Sequence, residues 1–269
     1  MKGRVLIVAG SDSGGGAGIQ ADIKAVTALG GFAATAITAL TAQNTLGVQG
    51  VMGVPGDFIR AQMDSVLSDI GADAIKTGML ADVPTITAVV AGLAAWPGIP
   101  LVADPVMVAK GGHRLLAEDA IATLAGALLP RAAVITPNIP EAEALTGRVI
   151  VTVDDMQRAA EALLAQGVAA VLLKGGHMVG ETLTDLLVTR DGVTRFDSAR
   201  IASRHTHGTG CTLASAIAAG LAQGLALVPA VARARAYVRA AMLAAPGLGA
   251  GHGPLNHGIT LDLGRLAAL

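Results

Sequence analysis

Only one cysteine, Cys211, stands in the 269 residues of this chain. A lone thiol excludes an intrachain disulfide framework and a zinc site built from cysteines. Aromatic residues are only 2% of the chain, so the core has to be made of Ala, Val, Leu and Ile. Charge is scarce as well, at 14% charged residues and a formal net charge of -1. Basic residues come no closer to a run than alternations such as Arg233-Ala234-Arg235. This argues against a nucleic-acid surface and against electrostatic attachment to a membrane. No stretch reaches the ~18 to 20 uninterrupted apolar residues of a spanning helix. The opening "MKGRVLIVAGSDSGG" has too short an apolar run for a secretory signal. The expectation is a soluble, cytoplasmic chain with no nucleic-acid and no membrane partner.

What is abundant is apolar aliphatic sequence, in short β-branched runs alternating with longer helical patterns. Hydrophobic residues make up 52%. The length suits one α/β domain over 1–269, which would bury roughly three quarters of its unfolded surface. Strands are predicted at 4–10, 34–43, 48–55, around "DAIKTG", at 100–107, 132–137 and 169–176. Helices are predicted at 18–30, 55–71, 83–95, 117–128, over "IPEAEALTG" and "VDDMQRAAEALLAQG", and in two closing segments from "TGCTL" and "VPAVA". "ETLTDLLVTRDGVTRFDS" reads as a hairpin turning at Asp191-Gly192. The tail after Pro246 is glycine-rich and reads as irregular. This alternation implies an α/β fold, a three-layer αβα sandwich with a mostly parallel central sheet.

Ligands of such sheets bind beyond the carboxyl ends of the strands. There the sequence gathers "GSDSGGGAG", "TGML", "DPVMVAKGGH", "TPNIPE" and "KGGH". The first loop offers backbone N–H groups to an anion. Its Gly16-Ala17-Gly18-Ile19-Gln20-Ala21 matches a loose dinucleotide pattern, but too far from the strand and without an acidic residue at ribose distance. No phosphate-binding G-x-x-x-x-G-K-[ST] loop is present.

"HGTGC" (207–211) is a glycine turn leading into a helix, a geometry that aims N–H groups and the positive dipole end at one spot. That setting suits a phosphoryl group and should lower the pKa of Cys211. A small core cysteine at the start of a helix accounts for the pattern equally well. In "NIPE", Asn138 and Glu141 stand at capping-box spacing, which suffices as an explanation by itself. The other reading sets Glu141 beside a hydrated Mg2+ on a phosphate chain. Asp104 and Lys174 each end a buried strand, where a charge needs solvent or a partner. His177 and His207 lack a second ligand at zinc spacing.

Together, "AGSDSGGGAGIQADIKA", "TALTAQNT", "AIKTGML", "DPVMVAKGGHRLL", "TPNIPEAEALTG", "LLKGGH" and "HGTGCTLASAIAAG" resemble, in that order, the hydroxymethylpyrimidine/phosphomethylpyrimidine kinases of thiamine biosynthesis. These are ribokinase-like kinases, and the resemblance runs from about Val5 to about Gly247. It implies two ATP-dependent phosphorylations, of 4-amino-5-hydroxymethyl-2-methylpyrimidine and then of its monophosphate, with ATP as co-substrate and Mg2+ as cofactor in a homodimer. Carried over, Gln43 reads the pyrimidine edge, Asp22 lies near the substrate hydroxyl, and Gly10, Met79 and Val106 line the ring site. Gly208, Thr209, Gly210 and Cys211 form the anion hole, with Cys211 where most ribokinase-like sugar kinases have an aspartate base. Asp104 and Glu141 serve Mg2+. Lys174, Asn138 and Thr209 serve the nucleotide. Arg204 and His205 depart from the family by being more basic. The nearest alternative is a pyridoxal or pyridoxine kinase, or an enzyme of both activities. A non-catalytic vitamer sensor is opposed by the intact Asp104, Glu141, Lys174 and Cys211.

Overall fold

The computed structural model describes residues 2–109 and 112–262. Lys110 and Gly111 of the "DPVMVAKGGHRLL" motif lie outside the described residues. The strands are β1 (Arg4–Asp12), β2 (Phe32–Asn44), β3 (Gly47–Gly53), β4 (Ala74–Thr77), β5 (Leu101–Ala103), β6 (Val134–Ile135), β7 (Ala170–Lys174), β8 (Thr182–Thr189) and β9 (Gly192–Ala199). They form one sheet in the order β3-β2-β1-β4-β5-β6-β7-β8-β9. From β2 to β7 all pairs are parallel, while β3, β8 and β9 are antiparallel additions at the edges.

Helices cover both faces, because the strands between β2 and β8 are apolar on both sides. Along β1, Leu6 and Val8 join one core, while Val5, Ile7 and Ala9 join the other. The first core is closed by α2 (Gly56–Asp69), α3 (Val83–Ala94), α4 (Ala120–Thr123), α5 (Ile139–Thr146) and α6 (Val153–Ala165). The second is closed by α1 (Gly18–Ala28), α7 (Thr209–Ala222) and α8 (Leu227–Leu243). Alanines stand in for the missing aromatics on α7, where Ala214, Ala216, Ala218 and Ala219 are all fully buried. Small side chains let that helix lie close to the sheet. The result is the expected three-layer αβα arrangement.

Three local expectations need correction. The helix predicted over 117–128 is regular only in α4, then widens into a π turn at 124–128 and a 3-10 turn at 129–131. Gly126 is a poor helix former and Pro130 donates no backbone hydrogen bond. The strand predicted at 100–107 ends at Ala103, just before Asp104-Pro105. The β8–β9 hairpin turns at Arg190-Asp191, with Gly192 already paired to Thr189 at the start of β9.

The chain runs from β1 to β2 on one side and returns to β4 on the other, so the connections diverge at the carboxyl ends of β1 and β4. A crevice forms at such a switch point. The tail after Pro246 holds no helix or strand up to residue 262, yet it is tied down. His252 N donates to Thr45 O, Asn256 N donates to Ala241 O, and the Tyr237 hydroxyl donates to His257 O. Among the described residues no helix is long and apolar enough to cross a membrane.

Candidate active site

The glycine turn before α7 fits only glycine at its hinge. Gly208 sits at φ +80°, and a Cβ there would run into the Gly16 carbonyl. The turn therefore packs directly on the first loop, and α7 begins with the N–H groups of its first turn unpaired within the helix. The first intrahelical bond is Thr212 N to Gly208 O at 2.9 Å. Thr209 is held by its hydroxyl, which donates to Thr206 O at 3.1 Å.

At Gly210 the turn meets two charges from the sheet edge. A Cβ built on Gly210 would lie 3.3 Å from Lys174 Nζ and 3.6 Å from Asp104 Oδ2. Lys174 Nζ is itself 3.1 Å from Asp104 Oδ1, which also accepts from the Thr136 hydroxyl at 2.8 Å. Burial works against the Lys174 charge, but Asp104 and Glu141 outweigh it and raise its pKa. Asp104, Lys174 and the α7 turn thus gather at one point.

Asn138 and Glu141 form a complete capping box on α5. Glu141 N donates to Asn138 Oδ1 at 2.9 Å and Asn138 N donates to Glu141 Oε2 at 2.7 Å. Glu141 is also buried near Lys174 and Asp104. Burial pushes its carboxyl up to about 7, Lys174 pulls it down and Asp104 pushes it further up. The cap and the proximity to Lys174 coexist, so the two readings of "NIPE" are not exclusive.

On the other side of the turn, His207 faces Gln43 and the first loop. A small cleft lies between Gln43, residues 44–48, Ala109, His207 and His252. Gly10 packs on Met79, since a Cβ there would be 3.0 Å from the Met79 sulfur. Met79 and Val106 are both partly exposed in the loops that follow β4 and β5. The first loop turns several of its N–H groups inward. Those of Gly14, Gly16 and Ala17 are taken by the carboxylate of Asp12.

One expectation is corrected, and the setting of Asp22 is made specific. Asp22 is fully buried, paired with Lys76 Nζ at 2.8 Å and accepting from the Ser215 hydroxyl at 2.7 Å. Cys211 is not acidified. Burial pushes its thiol up to about 11, overcoming the opposing pull of Lys76 and of the Gly18 N–H. Desolvation of the charged form outweighs the helix terminus here.

Three participants escaped the sequence reading: Lys76, Asp12 and His207 as a hydrogen-bonding partner. A signal existed for the first. Lysine in the apolar strand "AIKT" cannot be buried without a counter-charge.

A glycine turn opening a helix against a lysine–aspartate pair, at the carboxyl edge of a nine-stranded αβα sheet, defines a ribokinase-like small-molecule kinase. The structure is similar to that of a Bacillus subtilis pyridoxal kinase in complex with ADP, with TM-score 0.90 and 36% identity over 97% of this chain and 100% of that one. A phosphomethylpyrimidine kinase from Clostridium difficile matches with TM-score 0.80 and 42% identity, over 88% of this chain and 98% of that one. The family model for phosphomethylpyrimidine kinase matches residues 12–256, and the chain belongs to that family. The hydroxymethylpyrimidine/phosphomethylpyrimidine kinase of Rhizobium meliloti is 50% identical over 94% of this chain and 96% of its own length. A thiamine biosynthesis bifunctional protein of Geobacter sulfurreducens is 53% identical over 95% of this chain, which spans about half, 52%, of that longer protein.

Proposed function

We propose that this chain, acting as one kinase domain, phosphorylates 4-amino-5-hydroxymethyl-2-methylpyrimidine and then its monophosphate at the expense of ATP, for thiamine biosynthesis. One observation carries the reading. Within the five residues His207 to Cys211 the chain passes from a contact with the ring-reading candidate Gln43 to Gly210, where an added Cβ would lie 3.3 Å from Lys174 Nζ and 3.6 Å from Asp104 Oδ2. A hydroxymethyl ring set against Gln43, Met79 and Val106 would direct its oxygen toward the α7 turn.

In the first step the hydroxyl oxygen attacks the γ-phosphorus of ATP. The bond from that phosphorus to the β,γ-bridging oxygen breaks, ADP leaves, and the hydroxyl proton passes to a base. In the second step a phosphate oxygen of the monophosphate attacks another γ-phosphorus in the same way. Phosphoryl transfer asks the protein mainly for positioning and charge stabilisation. The N–H groups of Gly210 and Cys211 face the transferred group, and Lys174 neutralises phosphate charge. Asn138 and Thr209 border the nucleotide, and Cys211 stands where the proton is taken. In the free protein its thiol is neutral at physiological pH, so the base is present in the minor thiolate form.

Among the described residues no group of three or more His, Cys, Asp or Glu side chains makes a metal cage. Asp104 and Glu141 near Lys174 are hard oxygen donors, and Mg2+ commonly takes one or two carboxylates with phosphate oxygens and water. These residues therefore fit a hydrated Mg2+, whose chemistry would be to neutralise the phosphate chain of ATP.

The likeness to pyridoxal kinase structures supports a second reading, phosphorylation of pyridoxal, at the lower identity of 36%. Incubation with ATP, Mg2+ and the hydroxymethylpyrimidine should yield the mono- and then the diphosphate. A much larger kcat/KM for pyridoxal, or ATP binding without turnover of either ring, would overturn the first reading. We also propose a homodimer in the cytoplasm. The edge strand β3 with its exposed Val51 and Met52 supports an interface, and light scattering at a monomer mass would refute it.

A further inference from the structure

His207 Nε2 lies 2.8 Å from Asp12 Oδ2 and 3.3 Å from the Gln43 amide nitrogen. Asp12 is buried and accepts three backbone N–H groups, from Gly14, Gly16 and Ala17, besides the imidazole. Burial alone would push its carboxyl up, but His207 and the N–H donors together hold it below the usual carboxylate range. Asp12 is therefore an anion at neutral pH, and the ring nitrogen facing it has to carry a proton. A protonated Nε2 has no lone pair. With the Gln43 nitrogen turned toward it, donor meets donor.

The far side of the amide gives an independent constraint. Thr41 Oγ1 is 2.9 Å from the Ser11 carbonyl and 3.2 Å from the other terminal atom of Gln43. The threonine has one proton, and the carbonyl can only accept. That proton goes to Ser11, leaving the Thr41 oxygen as an acceptor for Gln43. An acceptor there asks for the amide nitrogen. Amide oxygen and nitrogen are told apart only by such partners. Both sides agree on one orientation, with Gln43 oxygen toward His207 and nitrogen toward Thr41. The one Nε2 proton is then shared, mainly with Asp12 Oδ2 at 2.8 Å and as a longer branch with the Gln43 oxygen at 3.3 Å.

We propose that His207, kept protonated at Nε2 by Asp12, is a positioning residue that fixes the Gln43 amide face and thereby selects an aminopyrimidine edge. The inference rests on the function proposed above. In this orientation Gln43 keeps one free N–H and one free oxygen lone pair, side by side. That pair matches a ring nitrogen acceptor beside an exocyclic amino donor, as glutamine matches adenine. The rival orientation offers the same two groups in exchanged places, which would shift or invert the ring. His207 is bonded in the chain to Gly208, so the device also ties the register of the ring to the anion turn.

The test compares the hydroxymethylpyrimidine with its analogue lacking the 4-amino group. In the wild type, kcat/KM for the amino compound should exceed that for the analogue by ~10-fold or more, the usual worth of a bidentate pair. His207→Phe should raise KM for the amino compound by ~10-fold, collapse the ratio toward unity and leave KM for ATP within about twofold. His207→Gln, which keeps an N–H donor, should restore part of the ratio. A purely structural role would lower activity on both rings alike and leave the ratio intact, and that result would overturn the inference. A wild type that phosphorylates neither ring would instead remove the proposed function itself. Nitrogen NMR of the histidine rings needs no variant. A protonated Nε2 on His207 at neutral pH supports the assignment, and an unprotonated Nε2 overturns it.

Discussion

Lys76 Nζ lies 2.8 Å from Asp22 Oδ2, and neither side chain is exposed to solvent. Ser215, one helical turn beyond Cys211 on α7, donates to the other oxygen of Asp22. The pair therefore sits beneath the thiol, where Lys76 favours the thiolate and Asp22 opposes it. Burial pushes the Asp22 carboxyl up against the pull of Lys76 and Ser215, while Asp22 helps to hold the buried Lys76 ammonium charged.

Removing one charge should leave its partner uncompensated. Lys76→Met is expected to destabilise the fold by about 3–5 kcal/mol, and the double variant Asp22→Leu/Lys76→Met to recover much of that loss. The thiol should respond with opposite signs to the two single changes. Lys76→Met raises the Cys211 pKa, and Asp22→Asn lowers it. Thermal melting and the pH dependence of iodoacetamide alkylation read the two effects separately. A thiol that titrates alike in both variants would show that the pair serves stability alone.

Cys211 itself is neutral in the free protein, with its thiol near 11. Alkylation should be slow at neutral pH and rise about tenfold per pH unit until the thiol titrates, because the thiolate is the nucleophile. Substrate should protect. If the thiolate takes the hydroxyl proton, kcat for the first phosphorylation should rise with pH in the same range. Cys211→Ala should then lower it by ~10²-fold or more and flatten the profile. The second step, whose acceptor is already an anion, should suffer less. Wild-type rates for the alanine variant in both steps would leave the turn's N–H groups as the whole contribution of this segment.

The alternation of apolar strands and amphipathic helices made the layers legible, because burial on both sheet faces dictates that composition. Gly208, Lys174, Asp104 and the Asn138–Glu141 cap were legible because turn geometry and strand-end charge are local signals. The Cys211 pKa was not. A glycine turn announces a helix dipole, but how far the thiol is enclosed depends on Gly18, Lys76 and Asp22, brought in by other elements. The Asp12–His207 contact joins residues 195 positions apart, so spacing rules tuned to short motifs pass over it. The partner of Asp22 was not legible for a related reason. The motif around Asp22 marks a site, but the Asp22 side chain turns inward to Lys76.

Glu141 carries two duties that one substitution separates. Glutamine at this position keeps the side-chain acceptor for Asn138 N, so the capping box survives. It removes the negative charge near Lys174. Glu141→Gln should therefore melt within a few degrees of the wild type and require more Mg2+ for half-maximal rate. Glu141→Ala should show the same requirement and lose about a further 1 kcal/mol from the cap. Mg2+ titrations at saturating ATP, beside thermal melts, check both. An unchanged Mg2+ requirement in both variants would confine Glu141 to the cap.

His257 links the tail to α7 one residue beyond Cys211, through a 2.9 Å contact between its Nε2 and the Thr212 hydroxyl. Burial lowers its pKa to about 4 from the ordinary 6.5, and the Lys24 charge adds to the effect. The folded protein thus holds this imidazole neutral, while the unfolded chain protonates it near 6.5. A group with a depressed folded pKa takes up more protons in the unfolded state, so stability falls as pH falls. Its contribution is intact above about pH 6.5 and is progressively lost down to about pH 4, by up to roughly 3 kcal/mol. His257→Gln keeps a hydrogen-bonding partner for Thr212 and removes the titration. The wild type should lose stability between pH 6.5 and 4 more steeply than His257→Gln, in urea melts at each pH. Because the tail meets α7 beside the anion turn, wild-type activity should fall in the same window as the tail detaches, and the variant should retain more of it. Parallel stability curves for the two proteins would show that the acid sensitivity arises from other groups.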